Sequence, residues 1–161
     1  MLPVSIYAAY GTNLDPAQMA CRAPRSPLLT TGWLEGWRLT FGEGPPASSG
    51  ALATLVEDSD QRVFVALYDL MEWDEPHLDS WEGVVERGGA GQARAYRRVT
   101  VRARTTDLGT VTAWSYLLDA YEGGLPSAVQ LGRLAAAAER AGAPGSYVSD
   151  LLARECLPGE G

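Results

Sequence analysis

The stretch that most constrains the fold is a short turn near the N-terminus, residues 10–14. The apolar run over residues 4–10 leads into it and has the composition of a β-strand. A helix start follows it, because Asp15 can cap a helix, Pro16 suits the first helical position and Gln18 completes a capping-box pattern. We therefore expect a tight strand-to-helix loop, whose backbone N–H groups converge and suit a carboxylate or a developing oxyanion. This stretch alone leaves an ordinary structural connection as the alternative.

Size and charge limit the class of protein. A chain of 161 residues with 46% apolar content and five tryptophans predicts one domain, residues 1–161, with a real core. The net charge of −7 argues against a nucleic-acid partner, which calls for clustered basic residues. All thirteen basic residues are arginines. The absence of lysine excludes a lysine Schiff base, a pyridoxal phosphate enzyme and a Walker-type phosphate site.

The sequence also indicates a compartment and limits metal chemistry. No stretch approaches the roughly 18 apolar residues of a membrane span, and no basic region precedes the first apolar run. We therefore expect a cytoplasmic protein with no membrane partner. Cys21 and Cys156 lack a spacing motif and are predicted to be free, buried thiols. The single histidine, His77, excludes a multi-histidine zinc site and leaves only a Cys–His pairing open, so no metal is expected.

The rest of the chain alternates strand and helix signals, mostly with hairpin connections. Residues 28–42 predict one long strand or two bent ones, in which Gly32 and Gly36 mark a bulge or a tight bend. The remaining predicted elements are strands over 51–56 and 62–70 joined by a turn at 57–61, a helix over 73–82, a flexible loop over 86–94, strands over 96–103 and 110–118, a helix between Ser127 and Gly142, and a last helix over 147–155. This order favours an α+β domain with a bent, largely antiparallel sheet.

A carboxylate at the end of the 73–82 helix is the second informative feature. Leu78 and Trp81 define an apolar face, Glu82 borders it, and Gly83 is the expected helix stop. An acid at the negative end of a helix dipole, next to apolar rings, has a raised pKa. Such a pKa suits a group that transfers protons. A solvated helix-end residue is the alternative reading of Glu82.

Other charged residues have simpler explanations. Asp79 and Glu82 do not suit a glycosidase pair, because they share one helix and such pairs normally come from different elements. Asp79 is expected instead to brace the turn at residues 11–14 or the helix itself. The arginines at 98, 102 and 104 lie on one face of a predicted strand, which is expected to be a solvated surface.

Two motifs resemble those of the γ-glutamylcyclotransferase-like proteins. Residues 10–14, Tyr-Gly-Thr-Asn-Leu, resemble the family's YGSNL signature, with Thr12 where serine is usual. Residues 78–83 resemble its LDxxEG element, whose glutamate is the catalytic acid/base, and residues 96–101 resemble the tyrosine-led strand that follows. The later Tyr, Gly and Pro-Ser positions up to Tyr147 are similar to its closing helical part. The resemblance implies a compact, partly closed β-barrel with flanking helices and a pocket between the turn and Glu82.

The resemblance also implies a reaction. The α-amine of a γ-glutamyl amino acid or γ-glutamylamine attacks its own γ-carbonyl, giving 5-oxoproline and a free amine. Glu82 would be the general acid/base, and no metal or organic cofactor would be needed. The implied substrate-binding residues are Tyr10, Gly11, Thr12, Asn13, Leu14 and Tyr96.

The sequence gives expectations about partners but does not identify the leaving amine. We expect a small-molecule γ-glutamyl substrate, no nucleic acid and no membrane, and the sequence leaves a homodimer open. Residues 129–131, Val-Gln-Leu, stand where relatives often have an aromatic residue, in a region that would shape the pocket for the leaving group. The identity of the amine therefore stays open. A non-catalytic binding or regulatory module on the same fold is the alternative function.

Overall fold

The computed structural model describes residues 5–42, 52–82, 96–118 and 124–158. The elements within these ranges are β1 (Ile6–Ala9), a 3₁₀ turn (Thr12–Leu14), α1 (Pro16–Arg22), β2 (Leu28–Gly42), β3 (Leu52–Asp69), α2 (Glu75–Glu82), β4 (Tyr96–Thr105), β5 (Thr110–Leu118), α3 (Ala128–Arg140) and α4 (Gly145–Leu152). The strands close into a barrel in the order β1-β3-β2-β4-β5, antiparallel except for the β1–β5 pair. The predicted α+β fold with a bent, largely antiparallel sheet is confirmed.

The predicted turn over 57–61 is wrong, because this stretch lies inside the continuous 18-residue strand β3. Strand β2 pairs with β3 on both sides of it: Glu35 lies opposite Arg62, and Trp37 lies opposite Glu57. The register shifts between these pairs, so that the extra polar residues of β3 form a bulge. Their exposure explains why this part of the strand has the composition of a turn.

The two glycines predicted to mark a bulge or a bend in β2 have different roles. Gly36 has a φ of +84° at the register shift, a left-handed conformation that favours glycine. Gly32 lies where β2 crosses β4, and a Cβ there would be 2.5 Å from the carbonyl oxygen of Arg104. Close approach of two strands, rather than backbone conformation, therefore requires glycine at position 32.

The C-terminal half follows the sequence closely. Strands β4 and β5 form the predicted hairpin, with Gly109 in the turn at a φ of +69°. The hydroxyl of Ser127 caps α3 by accepting a 3.0 Å hydrogen bond from the Gln130 amide. Helix α4 begins at Gly145, two residues before its predicted start. The loop predicted over 86–94 lies outside the described residues.

The core fills the barrel and the layer beneath α3. The buried face of α3 consists of Leu131, Leu134, Ala135, Ala137 and Ala138. Both cysteines are free, as predicted, but neither is buried as expected: Cys21 is exposed and Cys156 is partly exposed. In the part of the chain that the structure describes, no helix combines the length and apolar character needed to cross a membrane.

Candidate active site

The turn predicted to organise the chain is one 3₁₀ turn between β1 and α1. It is closed by hydrogen bonds from the Leu14 amide to the Gly11 carbonyl (3.0 Å) and from the Asp15 amide to the Thr12 carbonyl (3.1 Å). Asp15 caps α1 as predicted, accepting from the Ala17 amide at 2.9 Å. The strand–turn–helix prediction is thus confirmed.

The side chain of Gln18 does not return to the cap as a capping box requires. Its carbonyl oxygen accepts a 3.2 Å hydrogen bond from Arg22, one helical turn further along. Gln18 therefore supports the arginine that contacts the turn.

Asn13 is the anchor of the turn. Its buried side chain donates a 3.0 Å hydrogen bond to the Tyr7 hydroxyl and accepts one from the Arg22 guanidinium. Arg22 also donates to the Thr12 hydroxyl at 3.1 Å, and the Tyr68 hydroxyl donates to the Asn13 carbonyl at 2.9 Å. Side chains from β1, β3 and α1 thus fix the turn, and a preorganised turn can hold a ligand at low entropic cost.

The Tyr68 hydroxyl is suited to this anchoring role. Burial, reinforced by the Asp15 carboxylate, raises the pKa of Tyr68 well above its ordinary value. Tyr68 consequently remains a protonated donor to the turn throughout the physiological pH range.

A cavity of about 220 Å³ opens beside this turn. It is lined by Tyr7, Tyr10, Gly11, Thr12, Asn13, Leu52, Ala53, Trp81, Tyr96, Tyr116, Gln130 and Leu134. Five of the six residues predicted to bind substrate therefore meet at one cavity. Leu14 is the exception and a correction to that prediction: its side chain is fully buried in the core, and its amide closes the turn.

Two of the cavity's tyrosines are held by backbone carbonyls. The Tyr10 hydroxyl donates a 2.7 Å hydrogen bond to the Tyr116 carbonyl, and the Tyr96 hydroxyl donates a 2.8 Å bond to the Ala53 carbonyl. These bonds join the turn, β3, β4 and β5 around the cavity. The rings therefore form fixed walls, which define the shape of the cavity.

Helix α2 closes one side of the cavity and is held there by Asp79. The Asp79 carboxylate accepts hydrogen bonds from Arg98 of β4 at 2.7 and 2.8 Å, and from the Tyr116 hydroxyl of β5. Of the two roles expected for Asp79, bracing the turn is wrong, whereas the expected role in holding the helix agrees with these contacts. Asp79 ties α2 to the β4–β5 hairpin, next to a tyrosine that lines the cavity.

Arg98 has more contacts than a solvated surface residue would have. It also donates to Glu75 at 2.7 Å and lies 4.0 Å from the centre of the Trp114 ring. Partial burial acts to lower the pKa of Arg98, but hydrogen bonds to Asp79 and Glu75 outweigh it and raise the pKa. All three arginines predicted on one solvated face are exposed, but Arg98 also supports the site through its contacts with Asp79 and Glu75.

Glu82 is the last residue of α2, and its side chain lies outside the described part of the chain. Its neighbour Trp81 lines the cavity, and Leu78, one helical turn earlier, is fully buried. Positions four apart share a helix face, so residue 82 lies on the same face of α2 as Leu78. The assignment of Glu82 as the acid/base stays a prediction.

A larger and more open groove of about 650 Å³ runs between α1 and α2. Trp73, His77 and Trp81 line it, but none of residues 10–13 does. Among the described residues, no cluster of three or more His, Cys, Asp or Glu side chains could hold a metal ion. The smaller cavity is the better candidate because the turn and α2 meet there.

Sequence reasoning did not identify Tyr7, Arg22 and Tyr116 as part of the site. Tyr7 and Tyr116 lie on strands whose pattern predicts burial but not that an inward ring reaches a cavity. No sequence pattern marked Arg22 as a site residue. It lies at the C-terminal end of α1, and its long side chain reaches back to Thr12 of the turn. Residues 129–131 were expected to shape the pocket for the leaving group, and Gln130 of this segment lines the cavity.

Comparison with known proteins identifies the family. A model of the AIG2-like family matches residues 62–151, more than half of the chain. The chain belongs to the AIG2-like family. Human γ-glutamylcyclotransferase is 26% identical over 154 residues, covering 93% of this AIG2-like chain and 78% of the human protein. The mouse γ-glutamylcyclotransferase is 25% identical over the same coverage.

Solved structures share the fold of this chain. A γ-glutamyl cyclotransferase structure has a TM-score of 0.83 and 24% identity, covering 99% of this chain and 92% of that chain. A crystal structure of an uncharacterized human protein has a TM-score of 0.82 and 25% identity, with coverages of 98% and 91%. The resemblance to γ-glutamylcyclotransferase-like proteins and the barrel fold that it implied are confirmed.

Proposed function

We propose that this AIG2-like protein is a γ-glutamylcyclotransferase. The α-amino nitrogen of a γ-glutamyl amino acid or γ-glutamylamine attacks the substrate's own γ-carbonyl carbon. The new C–N bond closes the 5-oxoproline ring, the bond to the leaving nitrogen breaks, and one proton passes from the attacking to the leaving nitrogen. The homology to proteins named γ-glutamylcyclotransferase supports this reaction.

The observation that carries the proposal is the cavity between the Asn13-anchored turn and the end of α2. Its volume of about 220 Å³ is below the roughly 300–1,000 Å³ of sites for drug-sized ligands, so it suits a glutamyl-sized group. The fixed tyrosine walls favour a bent substrate over an extended one. Holding the amine against the carbonyl supplies a large part of the rate, since well-oriented intramolecular reactions reach effective molarities of about 10⁵ M or more.

The turn and the helix have separate roles in this proposal. Backbone N–H groups of residues 11–13 stabilise the substrate carboxylate or the tetrahedral oxyanion. Glu82 takes the proton from the attacking amine and delivers it to the leaving nitrogen, a contribution of about 10²–10⁴-fold. Its position at the C-terminal end of α2, where the helix dipole disfavours negative charge, suits a carboxyl group that holds a proton between the two transfers.

Direct detection of product tests the proposal. The purified protein is incubated with a panel of γ-glutamyl amino acids and γ-glutamylamines, and 5-oxoproline and free amine are quantified against heat-denatured protein. We expect both products in equal amounts from at least one substrate. Binding of panel members without any 5-oxoproline would contradict the proposal and favour a non-catalytic binding module.

A further inference from the structure

A buried side-chain oxygen in the candidate site has no hydrogen-bond partner among the described residues. The side-chain carbonyl oxygen of Gln130 is buried and makes no hydrogen bond within the described part of the chain. Gln130 lines the cavity together with residues 10–13. Buried polar atoms are normally paired, so this oxygen requires an explanation.

The position of Gln130 is fixed by the helix that carries it. It lies in the first turn of α3, where its backbone amide donates to the Ser127 cap at 3.0 Å. The neighbouring cavity residue on α3 is Leu134, and Leu52 is another apolar residue of the wall. An apolar surrounding makes an unpaired oxygen destabilising and makes a hydrogen bond to it stronger once a donor arrives.

We propose that the side-chain oxygen of Gln130 accepts a hydrogen bond from an N–H group of the γ-glutamyl substrate. The inference rests on the proposed function and specifies how that site recognises its substrate. An amide oxygen only accepts, so it cannot bind the substrate's carboxylate or its γ-carbonyl oxygen. The substrate's nitrogen groups are its α-ammonium and its scissile amide, and either would be held on the α3 side of the cavity.

This assignment gives Gln130 a specificity role. An analogue that lacks the bonded N–H would leave the oxygen unpaired in a closed site, and sites of this kind discriminate strongly against such analogues. The free protein carries the same unpaired oxygen as a destabilising feature. Gln130 should therefore improve binding at the expense of stability.

The test replaces Gln130 with Met, which has a similar length and no comparable acceptor. Glu139→Met is the matched control, because Glu139 is exposed near the other end of the same helix and does not line the cavity. For γ-glutamyl-alanine we expect Gln130→Met to raise KM at least tenfold with little change in kcat, the pattern of lost uniform binding. In the absence of ligand, we expect its Tm to rise by about 2–4 °C, since the unpaired oxygen is gone. Glu139→Met should change neither quantity.

Two competitors identify the donor. Glutaryl-alanine lacks the α-amine, and γ-methyl glutamate lacks the amide N–H. The competitor whose dissociation constant, measured by calorimetry, is unchanged by Gln130→Met lacks the hydrogen-bonded group, and the other should bind at least tenfold more weakly to the variant. If both dissociation constants are unchanged and the Tm of the free variant falls, Gln130 is only structural and the inference is wrong.

The calorimetric and thermal measurements do not need turnover. A protein that makes no 5-oxoproline but shows the expected losses in binding would contradict the proposed reaction while supporting the role of Gln130. Normal turnover with an unchanged KM in Gln130→Met would contradict the role of Gln130 alone.

Discussion

Arg98 donates hydrogen bonds of 2.7 and 2.8 Å to the two carboxylate oxygens of Asp79. The same carboxylate accepts a hydrogen bond from the Tyr116 hydroxyl, and Tyr116 lines the candidate active site. One side chain thus connects a surface ion pair to the wall of the cavity. It also sets where α2, the helix that ends at Glu82, meets the barrel.

We predict that Asp79→Asn reduces activity more than stability. The pair is partly exposed, with side-chain exposures of 33% and 29%, so its loss should lower the free energy of unfolding by only about 1 kcal/mol. A displaced α2 should lower kcat about tenfold, because small misplacements of reacting groups are costly. Urea unfolding and 5-oxoproline release measure the two effects. Glu35→Gln removes the partner of Arg104 in a more exposed pair and should change neither, and an equal effect of the two substitutions would contradict this account.

The turn's dependence on Arg22 gives a second prediction. Arg22 contacts Thr12 and Asn13 and lies 4.0 Å from the centre of the Trp81 ring, so it joins the turn to α2. Arg22→Met should lower kcat/KM for the proposed substrate about tenfold or more, because the turn loses a charge-assisted hydrogen bond to its anchor. Arg25→Met is the control, since Arg25 is exposed in the loop after α1. Similar kinetics for both variants would show that Arg22 does not order the site.

The pH dependence of stability should include a contribution from Asp15. Burial opposes ionisation of this carboxyl, but hydrogen bonds from Arg140 (2.7 Å) and the Ala17 amide outweigh it and lower its pKa. A folded-state pKa below the unfolded value of about 3.9 gives stability that is present above pH 4 and lost as the pH falls through the folded-state pKa.

The variant Asp15→Asn isolates this contribution. Asparagine keeps the helix cap but does not titrate, so its free energy of unfolding should fall less steeply between about pH 4 and pH 2 than that of the wild type. Chemical denaturation at a series of pH values gives both curves. Parallel curves would show that Asp15 titrates alike in the folded and unfolded states.

Alanine substitutions at Gly32, where β2 meets β4, and at Gly132 on α3 should have opposite effects on stability. Gly32→Ala places a Cβ 2.5 Å from the Arg104 carbonyl, and neither backbone can move freely within a closed barrel. We expect a loss of about 1–3 kcal/mol in the free energy of unfolding. Gly132→Ala on α3 meets no atom within 4 Å and should stabilise the helix by about 0.5–1 kcal/mol. Thermal unfolding of both variants checks this, and tolerance of Gly32→Ala would show that the strands are not in close contact.

The parts of the fold that the sequence predicted were those with a local physical cause. The cap at Asp15, the Gly109 turn and the Ser127 cap each depend on residues close in sequence. The error at 57–61 arose because polarity marks exposure, and an exposed bulge in a long hairpin has the same composition as a turn. Residues 57–61 belong to β3, and the pairing of β3 with β2 on both sides of them cannot be read from the local sequence.

The residues of the candidate site likewise fall into those predicted from local motifs and those brought together only by the tertiary structure. The turn at 10–13 and Tyr96 were predicted from motifs, and the cavity brings them together. The links of Asp79 to Arg98 and Tyr116, and of Asn13 to Tyr7 and Arg22, join residues whose approach depends on barrel closure. Periodicity predicts which strand residues face inward, but it does not predict which inward hydroxyl reaches which partner.

The most direct test of the central claim compares 5-oxoproline formation by the wild type with that by Glu82→Gln. Glu72→Gln is the control, since Glu72 is exposed ahead of α2 on the same segment. We predict that the wild type and Glu72→Gln release equal amounts of 5-oxoproline and free amine from a γ-glutamyl substrate. Glu82→Gln should be at least about 100-fold slower, with an unchanged circular dichroism spectrum and Tm. Undiminished release of 5-oxoproline by Glu82→Gln would contradict the account.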